Sequence, residues 1–138
     1  VAPESVRRLK DHIRELLRMG RGRAIGRVII DLAPVITGWT QYYRLATVKN
    51  TFEHLDEWLR RRLRCILWRQ WKKPKTRIKK LTARGIDTIR AHKSAYNGRG
   101  PWWNAGASHM NAALPVRWFA KQGLVSFLVR HRSFKQLA

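Results

Sequence analysis

Guanidinium and indole groups share one face of a single predicted helix, a pairing suited to phosphate neutralisation and to stacking on bases or sugars. At about 100° per residue, Arg60, Arg61 and Arg64 fall on one side together with Trp68 and Trp71. Val48, Phe52, Leu55, Leu59, Leu63 and Ile66 recur at helical spacing on the other side. The apolar stripe explains docking, but not why guanidinium groups should stand beside indoles on the face turned away. The alternative is a solvated basic face with the two tryptophans buried against a later segment. Arg69 stands between the two indoles, and after Trp71 come Lys72, Lys73, Lys75, Arg77, Lys79 and Lys80 without an acid among them. Plain solvated charge is one reading of that run. Phosphate contact is the favoured one, because dense like charge is costly without a partner.

Other chemistries find little support. Cys65 stands alone, which excludes a disulfide framework or a cysteine-based zinc site within the chain. His12, His54, His92, His109 and His131 form no HxxxH or HExxH pair. The carboxylates Glu4, Asp11, Glu15, Asp31, Glu53, Asp56, Glu57 and Asp87 offer no pairing that suggests two-metal catalysis. Asp56 and Glu57 are helical neighbours and diverge, so Glu57 is read as the i,i+4 partner of Arg61. Gly20, Gly22 and Gly26 do not match GxGxxG, and no strand precedes them. No catalytic residue, metal or cofactor is expected.

The charge balance names the partner class. With 30 Lys and Arg against 8 Asp and Glu, the 138-residue chain carries +22. A hydrophobic share of 44% belongs to a folded protein and not to a disordered basic tail. A folded polycation wants a polyanion, most commonly nucleic acid. An anionic membrane is the rival, but a membrane binder needs a long apolar face free of charge, and no stretch approaches the roughly 20 apolar residues of a spanning helix, so no membrane partner is expected. No signal peptide is visible, and the lone cysteine fits a reducing, cytoplasmic setting. The first residue is Val1, and the chain is treated as a fragment of a longer protein.

The elements that must position these residues read as all-α: a small helical bundle built on a long basic amphipathic helix, with an irregular C-terminal part of shorter helices. Pro3, Glu4 and Ser5 open a first helix with Val6, Leu9, Ile13, Leu16 and Leu17 on its apolar face, and Gly20 stops it. Arg21, Gly22 and Arg23 form a basic linker. A second helical stretch runs from about Ala24 to Leu45, where Pro34 is expected to kink or split it. Val28, Ile29, Leu32, Ile36, Trp39 and Tyr43 supply its buried side. The long helix runs from near Asn50 to about Trp71, with Asn50 and Glu53 as a capping-box variant. A short helix carries Ile78 and Leu81 and ends at Gly85, and Asp87 caps another through Ala91 and Ala95. Residues 97–103 read as a loop. A helix follows Leu114 and Pro115, ends at Gly123, and leads to an apolar segment and a basic tail. Three stretches result: 1–23, a leading helix and linker; 24–103, the main helical region; and 104–138, a tail packing on the same body.

Leu32-Ala33-Pro34, then Gly38-Trp39-Thr40-Gln41-Tyr42-Tyr43-Arg44, resembles the start of the maturase-specific region of group II intron-encoded reverse transcriptases. The resemblance continues in Phe52, Leu55-Asp56-Glu57-Trp58, Arg61-Arg62-Leu63-Arg64 and Trp68-Arg69-Gln70-Trp71-Lys72, in order from about Arg27 to Trp103. Ala113-Leu114-Pro115 and Gly123-Leu124-Val125-Ser126 resemble the end of bacterial members, and the first helix resembles the beginning of their thumb. The resemblance implies a thumb, or X domain, that binds group II intron RNA for folding and splicing and grips template and primer, with DNA target as a further partner. It implies polymerase domains upstream. The Tyr-x-Asp-Asp signature of the palm is absent from this chain, so the chain alone should polymerise nothing. Ala33 and Thr37 depart from the family's usual Asn and basic residue. Among the motif residues, Trp39, Tyr43, Phe52, Leu55, Trp58, Leu59 and Leu63 are expected in the core and Tyr42 exposed. Gly38 is expected to allow close helix approach. Trp102 and Trp103 either close a small core or stack on RNA. The alternative function is a general basic nucleic-acid-binding domain without intron specificity.

Overall fold

The computed structural model describes residues 2–19 and 22–137, except the side chain of Leu137. Among the described residues there are nine helices and no strand, in keeping with the all-α reading: α1 (Pro3–Met19), α2 (Ile25–Tyr42), α3 (Lys49–Gln70), α4 (Pro74–Ala83), α5 (Thr88–Ala95), α6 (Gly100–Gly106), α7 (Ser108–Ala113), α8 (Val116–Lys121) and α9 (Phe127–Leu137). They form two compact units that do not follow chain order. The first joins residues 1–58 with 120–138, and the second spans 59–119. Residues of α3 up to Trp58 belong to the first unit and those from Leu59 to the second.

In the first unit, α1 packs on α2 and α2 packs on α9. Leu9, Ile13 and Leu17 form a four-residue repeat that buries one stripe of α1. Glu4 in its first turn and Arg18 in its last suit the helix dipole. The expected stop at Gly20, and Arg21 of the linker, lie outside the described residues. Helix α2 buries Val28, Ile29, Leu32 and Ile36. Of the kink or split expected at Pro34, the split does not occur, and the helix runs unbroken through the proline. Proline removes one N–H, which leaves the carbonyl four residues back without its helical donor. Here both Pro34 and Ile30 are exposed, so solvent can take that place.

Asp56 supplies a contact that local sequence did not foretell. It is buried, and its carboxylate accepts from the Ser126 hydroxyl at 2.7 Å and from the Phe127 and Leu128 amides at 2.7 and 3.2 Å. Those amides begin α9, whose first N–H groups have no partner within the helix. At the other side of the same core, His131 Nε2 donates to the Tyr43 carbonyl at 3.0 Å, and its ring meets Phe52 edge-on. The apolar segment and basic tail expected at the end of the chain are thus a docked helix. The capping box at Asn50 does not form as expected, because α3 already begins at Lys49.

In the second unit, α4 packs on α5, and α7 packs on α4, α5 and α6. Pro74 opens α4, and Gly85 (φ 90°) follows its end. Asp87 caps α5 by accepting from the Arg90 amide at 3.3 Å, as expected. Residues 100–103, expected as part of a loop, instead begin α6. Its entry is fixed by a reciprocal amide pair. Asn97 Nδ2 donates to Asn104 Oδ1 at 2.8 Å, and Asn104 Nδ2 donates back to Asn97 Oδ1 at 3.1 Å. Buried His109 Nε2 donates to the same Asn104 Oδ1 at 2.9 Å. Two short turns rich in Gly, Ala and Asn are thereby held as helix by side-chain hydrogen bonds.

Candidate nucleic-acid interface

The basic and aromatic residues of the second unit separate into two groups. The arginines nearest the indoles are structural, and the lysines face solvent. Past Trp58, α3 buries Leu59, Leu63, Arg64, Cys65, Ile66, Leu67 and Trp68, so it is enclosed almost all round. This corrects the expected exposed face. Trp68 is 1% exposed, Trp71 5% and Arg64 6%. Their chemistry explains why the pattern misleads. A guanidinium reads as polar and an indole suits either a core or a stacking surface, yet both have broad flat faces that pack well when their N–H groups find acceptors.

Arg61, Arg64, Arg77 and Arg84 each have such an acceptor and an aromatic face. Arg64 Nε donates to the Leu114 carbonyl at 2.9 Å, just past the end of α7, and its guanidinium lies 5.2 Å from the Phe119 ring. Burial, and then the neighbouring charge of Arg60, bring its pKa down to about 10, so it stays a cation at neutral pH. Arg77 donates Nε and Nη2 to the Trp68 carbonyl at 3.2 and 3.1 Å and covers the Trp68 ring at 4.4 Å. That carbonyl lies in the last turn of α3, where carbonyls lack helical donors. Arg61, expected to pair with Glu57, instead donates Nε and Nη2 to the Trp102 carbonyl at 3.2 and 2.9 Å, with the Trp102 ring 4.0 Å away. Arg84, which the sequence pattern did not single out, lies over Trp71 at 5.4 Å and donates to the Lys80 carbonyl. Burial lowers the pKa of both Arg77 and Arg84.

The remaining cations of the sequence-derived set point outward. Arg69, Lys72, Lys73, Lys75, Lys79 and Lys80 are exposed, and Arg60 is half-buried. They run from the last turn of α3 across the turn at residues 71–73 and along α4. No carboxylate occurs in sequence between Glu57 and Asp87. The first turn of α4 has no acid, and Lys73 and Lys75 stand there against the helix dipole. Lys72 adopts φ 41°, the one described non-glycine residue with positive φ. Trp102 and Trp103 remain 38% and 43% exposed, with Arg61 over the first ring and Arg99 over the second. Arg90, Lys93, Arg99 and Arg117 add exposed cations to this unit that sequence reasoning left out. They lie on short helices and turns where no apolar periodicity drew attention to them.

In the first unit, the family-motif residues line a groove. Ser5, Arg8 and His12 of α1 face Gly38, Trp39 and Tyr42 of α2 and Tyr43 at its end. Trp39 and Tyr43 are half-buried and stacked, with ring centroids 5.5 Å apart, while Tyr42 is exposed. Phe52 and Leu55 are buried in this unit as expected, Leu59 and Leu63 are buried in the second, and Trp58 is half-buried beneath Lys10 and Arg14. Gly38 does not serve close helix approach, because a Cβ placed there would meet nothing within 4 Å.

Among the described residues, no cluster of three His, Cys, Asp or Glu side chains could hold a metal ion. Nor is any described helix long and apolar enough to cross a membrane. The family model of the group II intron maturase-specific domain matches residues 6–85. No curated protein matches the chain.

Proposed function

Because the chain belongs to the group II intron maturase-specific domain family, we propose that it binds structured group II intron RNA through the lysine surface of its second unit. The observation that carries this reading is the exposed, acid-free run of Arg69, Lys72, Lys73, Lys75, Lys79 and Lys80. These side chains neutralise phosphates, while the buried arginines hold the helices that present them. Phosphate contacts set position and much of the affinity. Selection of RNA rests on helix shape and on the 2′-hydroxyls, since the major groove of A-form RNA is closed to side chains. The binding role is non-catalytic. In a longer protein with polymerase domains upstream, the same surface would grip template and primer.

A binding titration across salt concentrations tests this. The ligands are a group II intron RNA, an unrelated structured RNA and a DNA duplex of similar length. Neutralising about six phosphates gives a slope of log affinity against log salt near −4 to −5. A flat salt dependence overturns the reading. Equal affinity for all three ligands, collapsing with salt, favours a general basic nucleic-acid binder instead.

A further inference from the structure

The groove between α1 and α2 has chemistry that the lysine surface does not use. Its volume is about 560 Å³, within the usual range of small-ligand pockets. The α2 wall is aromatic. Trp39 stacks on Tyr43, and Tyr43 meets Tyr42 edge-on at 4.8 Å. Tyr42 is 78% exposed, so packing accounts for little of its ring. The α1 wall is polar and basic. Arg8 is exposed and donates to the Ser5 hydroxyl at 3.5 Å, and His12 is exposed one turn further on. Among the described residues, none that lines the groove is a carboxylate.

Gly38 adds a second, independent observation. Glycine inside a helix costs stability relative to alanine. Here neither a positive φ nor a close neighbour requires it, since a Cβ would meet open space. What its missing side chain does is keep the groove open beside Trp39 and Tyr42. An aromatic wall facing a cation across an open slot suits a flat, electron-rich ring joined to an anion. We propose that this groove takes one unstacked nucleobase of an RNA strand, its ring laid on Tyr42 and its flanking phosphate met by Arg8. The inference rests on the RNA-binding reading above and makes it more specific. A base inside a duplex is already stacked, so the occupant comes from a bulge, loop or single strand.

The test uses the whole 138-residue chain and two RNA hairpins. One is fully paired, and the other carries a single bulged 2-aminopurine. The chain should bind the bulged hairpin about tenfold more tightly, the scale of one base–aromatic stack, and quench the 2-aminopurine fluorescence. Tyr42→Ala and Gly38→Leu should each abolish the preference and the quenching while binding the paired hairpin as before. Tyr42→Phe should retain both. A Cβ at position 38 meets nothing within 4 Å, and circular dichroism of each variant should match that of the parent chain. Equal binding of the two hairpins, or a preference that survives both Tyr42→Ala and Gly38→Leu, overturns the groove proposal alone. Failure to bind either hairpin overturns the RNA-binding reading with it.

Discussion

Arg64 Nε donates to the carbonyl oxygen of Leu114 at 2.9 Å, tying the middle of α3 to the end of α7 across fifty residues of chain. Pro115 follows Leu114, and proline has no N–H to offer. The buried guanidinium therefore stabilises the unit by filling an acceptor and by packing on Phe119.

Replacing Arg64 by alanine should accordingly destabilise the fold by about 2–3 kcal/mol, the effect expected when a charged hydrogen bond is removed and its buried partner is left empty. Urea unfolding measures this. An Arg64→Ala protein as stable as the parent, but with weakened RNA binding, would return Arg64 to the interface. Lys79→Ala with Lys80→Ala provides the contrast. Both lysines are exposed, so stability should change by less than about 0.5 kcal/mol per site. The salt slope of RNA binding should become shallower by roughly 1 for each phosphate that is no longer neutralised.

Asp56 should behave as a structural carboxylate. Removing it by alanine strips acceptors from the Ser126 hydroxyl and from two amides at the start of α9. Loss of a cap typically costs about 0.5–2 kcal/mol. The buried setting places Asp56→Ala at the upper end, with Asp56→Asn milder because it keeps one acceptor oxygen. Hydrogen exchange should show α9 losing protection before α1 and α2. Uniform loss across the first unit would mean that Asp56 anchors the whole core and not this helix alone.

Legibility in the sequence followed the range of each interaction. Phe52, Leu55, Leu59, Leu63 and Ile66 declare themselves by periodicity, and all are buried. The burial of Trp68 and Trp71 was legible only as the alternative to an exposed stacking face, and that of Arg64 was not legible, because a guanidinium that packs by its flat face while donating hydrogen bonds scores as polar in a hydropathy pattern. Asp56 and Ser126 are seventy positions apart, so nothing local marks the cap. Helices α6 and α7 are too short for periodicity, and the Asn97–Asn104–His109 bonds that hold them are tertiary. The exposed lysines were found from their acid-free run. The groove was hidden because Gly38 reads as a packing glycine until the space beside it is seen.

His109 gives the second unit a pH dependence of known sign. Burial, and then the charge of Arg90, lower its pKa from 6.5. Above 6.5 it is neutral in both the folded and the unfolded chain and contributes nothing. As pH falls below 6.5 the unfolded chain takes up a proton that the folded site resists, so stability declines. The urea midpoint should therefore be lower at pH 5.5 than at pH 7.5. His109→Gln, which keeps a donor for Asn104, should flatten that difference. The same slope in both proteins would assign the pH dependence to other groups.

Lys72 makes the link between strain and function testable. It follows α3 with φ 41°, a left-handed conformation at a helix end where glycine is the usual residue. Holding a side-chain-bearing residue there costs about 1–2 kcal/mol. Glycine relieves the strain but adds entropy to the unfolded chain, so Lys72→Gly should stabilise the protein by a net of about 0.5–1 kcal/mol. The same change removes an exposed cation from the centre of the proposed RNA surface, between Arg69 and Lys75. Binding at fixed salt should weaken even as the melting temperature rises. Strained positions persist where a side chain is needed at that place, and opposite signs for stability and affinity are the signature of that need. If Lys72→Gly stabilises the fold and leaves RNA affinity untouched, the lysine at this turn has no part in the interface, and the RNA-facing surface must begin further along α4.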